Sequence, residues 1–513
     1  MKKISIVCLV LTAVFSGCGL QVRDNPTTTG SGASTDGSGN TSLFTVGGTA
    51  SGLPHRKSVV VTINGTEFTI DQNGSFTFPQ NFEFDSTYDV NVLEGPGGAY
   101  ACTLANDSGT VRANINDVTL TCACDVNSLG TGIGTIADPI LVYTAAQVDA
   151  LSVFGTVSDM KNSYEQVCDL DYTGISPTPL GSFANPFKGK YDGGNFFILH
   201  YHSDESVPSS DHRKGVFGYV FGGWLRNIGL NDIVVQADAG MAIGGTAYLG
   251  ALIGTIEDAS VEHTFAENVS LDDNGEHLEG IGVMAGNQLA SSLGSCPCCL
   301  SHLNYIHIQN ATINAATSEN VASLVGLAQG NAKQVELSNV TINSCLKRCG
   351  GVVGAIYNDG EFRNVNAQNI TVRGNEKTGG ITGENVGTIS RSAFVGTVDG
   401  LTSAGSFGGL VGYSDGTHKL KSSYTVSDIL SVAGSTMVGP AYGYLADINK
   451  VSYDSAKVCQ NCSSNPGTTA LVDTSSLIDG SDAAMSSWDF GSIWCKHSNQ
   501  FPSLMEVPYS TCQ

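Results

Sequence analysis

Four groups of residues in this 513-residue chain have types and spacings that could carry chemistry. Gly412-Tyr413-Ser414-Asp415-Gly416 has the Gly-x-Ser-x-Gly spacing of a nucleophile elbow, which needs a strand, a sharp turn and then a helix to expose its serine. No helical pattern follows, and the matching place in a neighbouring repeat reads Asn358-Asp359-Gly360, so a corner turn is expected. His200 and His202 flank Tyr201 on one strand face, a spacing able to hold a metal, but two ligands do not complete a site and no His-Glu-x-x-His occurs. Leu271-Asp272-Asp273-Asn274-Gly275-Glu276 is an acidic turn without the ligand order of a calcium loop, and a solvated loop is expected. Cys296-Pro297-Cys298-Cys299 and Cys345-Leu346-Lys347-Arg348-Cys349 form the densest cysteine group; the spacing fits no common zinc ribbon or finger, which favours loop-stapling disulfides over metal. No catalytic residue, metal or cofactor is expected, and the chain reads as a non-enzyme.

Composition narrows the partners. With 47 acidic against 24 basic side chains the net charge is −23, which repels phosphate backbones, so nucleic acid is not expected as a partner. The 63 glycines and many short Val/Ile runs are typical of extracellular β proteins. Fifteen cysteines, without metal-site spacing, imply an oxidising compartment.

The elements that must position these groups fall into distinct stretches. Met1-Lys2-Lys3 and the apolar run Ile4 to Phe15 read as a signal peptide, too short to span a bilayer comfortably. Asn25 to Ser42 is nearly all small and polar, a flexible tether. From Phe44 to Cys122 short alternating strands meet at Asn64-Gly65 and Asn73-Gly74, strong hairpin signals, and the size and strand spacing suggest an immunoglobulin-like sandwich. Beyond Cys124 the chain repeats. Units such as Gly350-Gly351-Val352-Val353-Gly354 end on Gly218, Gly254, Gly286, Gly326, Gly354, Gly383, Gly412 and Gly443, spaced 28 to 40 residues apart. Fixed coils with variable outward loops produce such spacing, which predicts a parallel β-helix; corner glycines would supply positive φ or close approach to the next coil. A short helix over Ala145 to Leu151 and a Trp-rich tail are suited to cover the open ends of the stack.

Phe15-Ser16-Gly17-Cys18 resembles the lipobox of bacterial lipoproteins, with Phe where Leu is usual; the resemblance implies acylation of Cys18 and attachment to a membrane. Cys102-Thr103 and Val118-Thr119-Leu120-Thr121-Cys122 resemble a small β-domain that recurs in bacterial surface lipoproteins, and Cys102 with Cys122 is the first disulfide expected. Cys124 with Cys168, Cys459 with Cys462, and Cys495 with Cys512 are further pairs, although the connectivity stays open; thirteen mature cysteines leave one over. The glycine repeat resembles the GLUG motif of bacterial surface and secreted proteins. Pro139 to Val148, Phe187 to Asn195, Trp488-Asp489-Phe490, Trp494 and Phe501 to Leu504 resemble the flanks of such domains. The resemblance implies an extracellular right-handed β-helix without established catalytic residues.

The expected layout is an all-β chain, a small immunoglobulin-like β-sandwich followed by a right-handed parallel β-helix of GLUG-type repeats. Its parts are the signal peptide (1–17), the lipidated Cys18 and tether (18–42), the sandwich (43–123), a lead-in and cap segment (124–214), the repeats (215–455) and a closing segment (456–513). The expected function is a lipid-anchored outer-membrane or cell-surface adhesion or ligand-binding module for an extracellular protein or glycan, the sandwich acting as spacer. A polysaccharide-binding or polysaccharide-degrading β-helix and a structural envelope component are the alternatives.

Overall fold

The computed structural model describes residues 43–127, 129–203, 211–241, 246–290, 301–358, 360–415, 419–435, 437–444, 447–463, 465, 467–471, 473–505 and 507–508. Residues 43–124 form a two-sheet sandwich. One sheet orders Gly74–Glu83, Leu43–Ser51, Ile115–Cys124 and Tyr100–Ala105; the other orders Thr66–Ile70, Val59–Ile63, Thr87–Glu94 and Ser108–Thr110. Asn64 and Gly65, at φ +49° and +80°, make the hairpin joining Val59–Ile63 to Thr66–Ile70, as the Asn-Gly dipeptide predicts. Asn73-Gly74 does not make a second hairpin. It carries the chain across the sandwich, and Gly74–Glu83 pairs with Leu43–Ser51 instead, because Phe78 and Phe82 are needed in the core between the sheets.

The rest is a parallel β-helix with two short sheets and one long one. Each short sheet has eight strands, one per rung, and the long sheet begins with Ile140–Val142 and ends with Thr468–Leu471. The parallel stack therefore starts well before the first glycine unit. Its interior is one continuous column of Val, Ile, Leu and Phe.

The repeat glycines act by close approach, not by φ. Gly354, Gly383 and Gly412 are absent from the positive-φ positions, and each would press a Cβ into the backbone of the preceding rung. At Gly383 that carbon would stand 2.5 Å from Cys349 N and 2.6 Å from Lys377 O. A second set, including Gly350, Gly379 and Gly408, lies against the start of the next short strand of its own rung. The two short sheets thus meet backbone to backbone.

Positive φ belongs instead to two columns in the long strands. Asn227, His263, Tyr305, Gln334, Asn364, Arg391, Ser422 and Lys450 share one, at φ between +48° and +56°; Asp232, Asn268, Asn310, Asn339 and Asn369 share the other. Asn tolerates the left-handed conformation because its short amide bonds locally, and here the amides stack: Asn339 donates to Asn310 at 3.1 Å and Asn369 to Asn339 at 2.6 Å.

The ends are finished differently from one another. Helix Ala145–Phe154 starts at a Thr144/Gln147 capping box and seats Ala145 and Val148 against the first rungs, as expected of a cap. The closing segment instead folds back along the outside of the long sheet. Leu477, Trp488, Trp494 and Leu504 pack on Ala393, Tyr424 and Val426, outward residues whose apolar surface needs cover.

Gly383→Ala should destabilise the stack by about 1–3 kcal/mol, since backbone atoms must move to admit the methyl group. Ser338→Ala, on the outward face, should stay within about 0.5 kcal/mol. Thermal melts with hydrogen exchange across the central rungs check the contrast.

Candidate binding face

The long sheet turns two columns of side chains outward between its two positive-φ kinks. In register one runs Phe197, Gly229, Phe265, His307, Glu336, Asn366, Ala393, Tyr424 and Ser452, and beside it run Glu267, Gln309, Ser338 and Gln368. Phe197, Phe265 and Tyr424 are fully buried although they face away from the helix interior, so something covers each end of the column.

The sandwich covers the first end. Its loop His55-Arg56-Lys57 reaches the β-helix: the His55 ring lies 4.5 Å from Phe197, and the Arg56 guanidinium 4.6 Å over Phe265. Glu267 receives Arg56 in a fork, Nη2 to Oε2 at 2.6 Å and Nε to Oε1 at 3.1 Å, with His55 Nε2 at 2.5 Å and Gln309 Nε2 at 2.8 Å. Burial alone would raise the Glu267 carboxyl, but the hydrogen bonds from His55, Arg56 and Gln309 and the Arg56 charge outweigh it and hold it at about 2. Asp169 accepts from the backbone N–H groups of His55 and Phe197 at 2.6 and 2.8 Å. The Cys124–Cys168 disulfide, and Tyr100 stacked on Phe196 at 5.9 Å, complete the junction. The sandwich, expected as a spacer, is therefore docked on the side of the rod.

The closing segment covers the other end. Trp488 stacks on Tyr424 and donates Nε1 to Ser422 O at 2.8 Å, while Gln368 donates to Pro502 O. His307 Nδ1 lies 2.7 Å from Pro508 O, and burial with the Arg56 charge pushes its imidazole below the ordinary range despite that carbonyl. Between the two covers remains a notch of about 220 Å³, floored by His307, Gln309, Glu336 and Gln368 and walled by His497, Gln500 and Phe501. Ser503, 4% exposed, shares a 2.6 Å hydrogen bond with His497 at its edge. Amides, imidazoles and a carboxylate around one aromatic ring suit the hydroxyl-rich face of a ligand.

The residues singled out by sequence are mostly elsewhere. Ser414 ends a strand, wholly buried and turned into the stack, so it is neither a nucleophile elbow nor a corner turn; Gly416 lies outside the described residues. His200 and His202 share Asp232, and His200 also meets Asp171 at 2.9 Å. Among the described residues no group of three or more His, Cys, Asp or Glu side chains is arranged to hold a metal. The acidic turn is not a solvated loop: Asp273 is buried and accepts from Thr317 N, Thr317 Oγ1 and Ser318 Oγ, stapling one rung to the next.

Cys102–Cys122, Cys124–Cys168 and Cys459–Cys462 are bonded as paired above. Cys345 bonds to Cys349 within its own turn. Cys495 is disulfide-bonded; Cys18, Cys296, Cys298, Cys299 and Cys512 lie outside the described residues. His55, Arg56, Glu267 and the notch residues carry no local motif. Register between rungs is the one signal that could have found them.

Glu267→Gln should cost on the order of 3 kcal/mol at neutral pH by stranding Arg56 and His55 at the junction. Because the folded carboxyl is depressed, its contribution is full above the unfolded value of 4.5 and is lost as pH falls toward about 2. Denaturation of wild type and variant across that window should therefore show their difference closing with acidification.

A scan against the models of known protein families matches none, and no curated protein matches. Among solved structures, a candidate immunoglobulin A1 protease from Bacteroides ovatus is similar, at 15% identity and a TM-score of 0.42 over 73% of this chain and 94% of that one, a likeness that carries no functional inference.

Proposed function

We propose that this chain is an exported lipoprotein, acylated at Cys18 and held at the outer membrane or cell surface, whose GLUG-type β-helix is a non-catalytic adhesion or ligand-binding module. The observation that carries the reading is the outward face of the long sheet, where parallel rungs present amide ladders, Asn310 with Asn339 and Asn369, and, beside a one-residue register shift, Asn314 with Asn343. Aligned donors and acceptors at a spacing of about 4.8 Å suit an extended ligand lying along the rod. Four disulfides among the described residues fit an oxidising compartment. Acyl chains at Cys18 would hold the mature N-terminus at the lipid surface, each buried methylene contributing about 0.8 kcal/mol.

A second reading, a polysaccharide-degrading β-helix, is favoured by one feature, the notch that gathers Glu336, His307 and His497. Glycan-array binding followed by an assay for released sugar ends separates the two. The binding module predicts retention without turnover; turnover abolished by Glu336→Gln would establish the enzyme. Cys18→Ala should move the protein from the membrane to the soluble fraction, and protease shaving of intact cells should remove the wild type. A protein that stays membrane-bound as Cys18→Ala, or resists shaving, contradicts the localisation.

A further inference from the structure

Nine of the 21 lysines and arginines among the described residues are ion-paired, among them Arg56 with Glu267, Lys214 with Asp238, Arg226 with Asp192, Arg348 with Glu319 and Glu384, Lys377 with Glu384 and Arg373 with Asp399. Of the twelve that are not, six gather on one strip of the long sheet. At and just before the first positive-φ kink, five successive rungs each contribute a cation: Lys333, then Arg363, then Arg391, then Lys419 and Lys421, then Lys450. None of the six forms an ion pair with a carboxylate among the described residues. Lys333 lies over the Tyr305 ring, Arg391 donates to Asn364 Oδ1, Lys450 donates to Ser486 Oγ, and Lys419 and Lys450 are exposed. Over these five rungs Glu361 and, by register, Asp447 are the acidic residues of the same columns, and Glu262 and Asp192 continue the Lys333 column on earlier rungs.

Like charges stacked rung on rung repel one another, and a chain with 47 acidic residues had ample means to neutralise them. The closing segment reaches the strip only at its last rungs, where Trp488 bonds Ser422 O and Ser486 meets Lys450, and a depression of about 280 Å³ lined by His302, Lys333, Glu361 and Arg363 opens at its first rungs. His302 there is held below its ordinary range by burial and then by the Lys333 charge, against the opposing pull of Glu262. At physiological salt the potential extends only about 8 Å, so the strip acts locally despite the net charge of −23.

We propose that this strip binds an extended acidic polysaccharide, one bearing a carboxylate or sulfate on successive sugars and lying along the helix axis. Charge spacing decides against duplex DNA. Its phosphates come at about one per 1.7 Å of axis, whereas the strip offers roughly one cation per 4.8 Å, and the flanking carboxylates would repel the excess. A polyuronate spaces its charges by one sugar ring and meets the cations one to one, with the guanidinium groups of Arg363 and Arg391 able to take carboxylates in a fork. The inference rests on the binding-module reading only for access to the ligand at the cell surface; binding by the purified chain stands on the strip alone.

The test uses the full chain in detergent with polygalacturonate, neutral dextran and a DNA duplex as probes. Polygalacturonate should bind, dextran should not, and the affinity should fall steeply between about 50 and 200 mM salt. Lys333→Gln/Arg363→Gln/Lys421→Gln should weaken binding at least about tenfold and flatten the salt dependence. The charge-matched control Lys161→Gln/Lys188→Gln/Lys457→Gln and the charge-keeping Lys333→Arg/Arg363→Lys/Lys421→Arg should bind within about twofold of wild type, with circular dichroism confirming the β-helix. Salt-independent binding by the wild type, equal capture of dextran, a triple variant that binds unchanged, or a preference for the duplex would each overturn the proposal. Protease shaving reports separately on surface exposure, so failure of the strip is distinguishable from failure of the localisation.

Discussion

Everything in the β-helix depends on two short sheets being allowed to touch backbone to backbone. A side chain as small as a methyl group at Gly354, Gly383 or Gly412 would occupy space already held by main-chain atoms of the preceding rung. With both glycine sets in place the short sheets collapse onto each other, and the apolar column of the interior sits mainly between them and the long sheet. Register follows from the same constraint. A rung displaced by one residue would put a branched side chain where only glycine fits, so each rung is indexed to its neighbour along the whole stack.

Indexing has a consequence on the opposite side. Because rungs are locked, any residue type recurring at one place in the repeat becomes a straight column on the long sheet, whether amide, aromatic or cationic. The amide column closes upon itself through Asn–Asn hydrogen bonds. The two ends of the central outward column cannot be left in water, since Phe197 and Phe265 at one and Ala393 and Tyr424 at the other would expose apolar patches, and the sandwich and closing segment lie over them. The notch is the gap those covers leave, and the strip of cations lies beside the closing segment, which touches it at Lys450 through Ser486.

The junction between sandwich and rod is held by three unlike interactions at once. A disulfide fixes Cys124 to Cys168, ring contacts bury the base of the His55-Arg56-Lys57 loop, and a forked carboxylate pair orients its tip. Removing charge from water is costly, and what compensates here is that Glu267 has its oxygens occupied by Arg56, His55 and Gln309. A junction built this way holds the rod at one angle to the sandwich.

Much of this architecture was legible in the sequence because it is written locally. Glycines at a near-constant interval, an Asn-Gly hairpin, a short helix at the start of the stack and cysteines close in the chain each act over a few residues, and the structure has them where the sequence implies. Ser414 could not be placed by motif, since the spacing Gly-x-Ser-x-Gly says nothing of which way a strand end points, and here it points inward. Nor could the left-handed positions be read, because Tyr305, Gln334 and Lys450 adopt that conformation only under the pull of the rungs on either side. The sequence by itself determined that there would be rungs and roughly how many. Only the tertiary structure decided what the rungs align: Glu267 meets Arg56 across more than two hundred residues, and Lys333 joins Lys450 in one strip, since contacts so distant in the chain exist only once stacking has fixed the register.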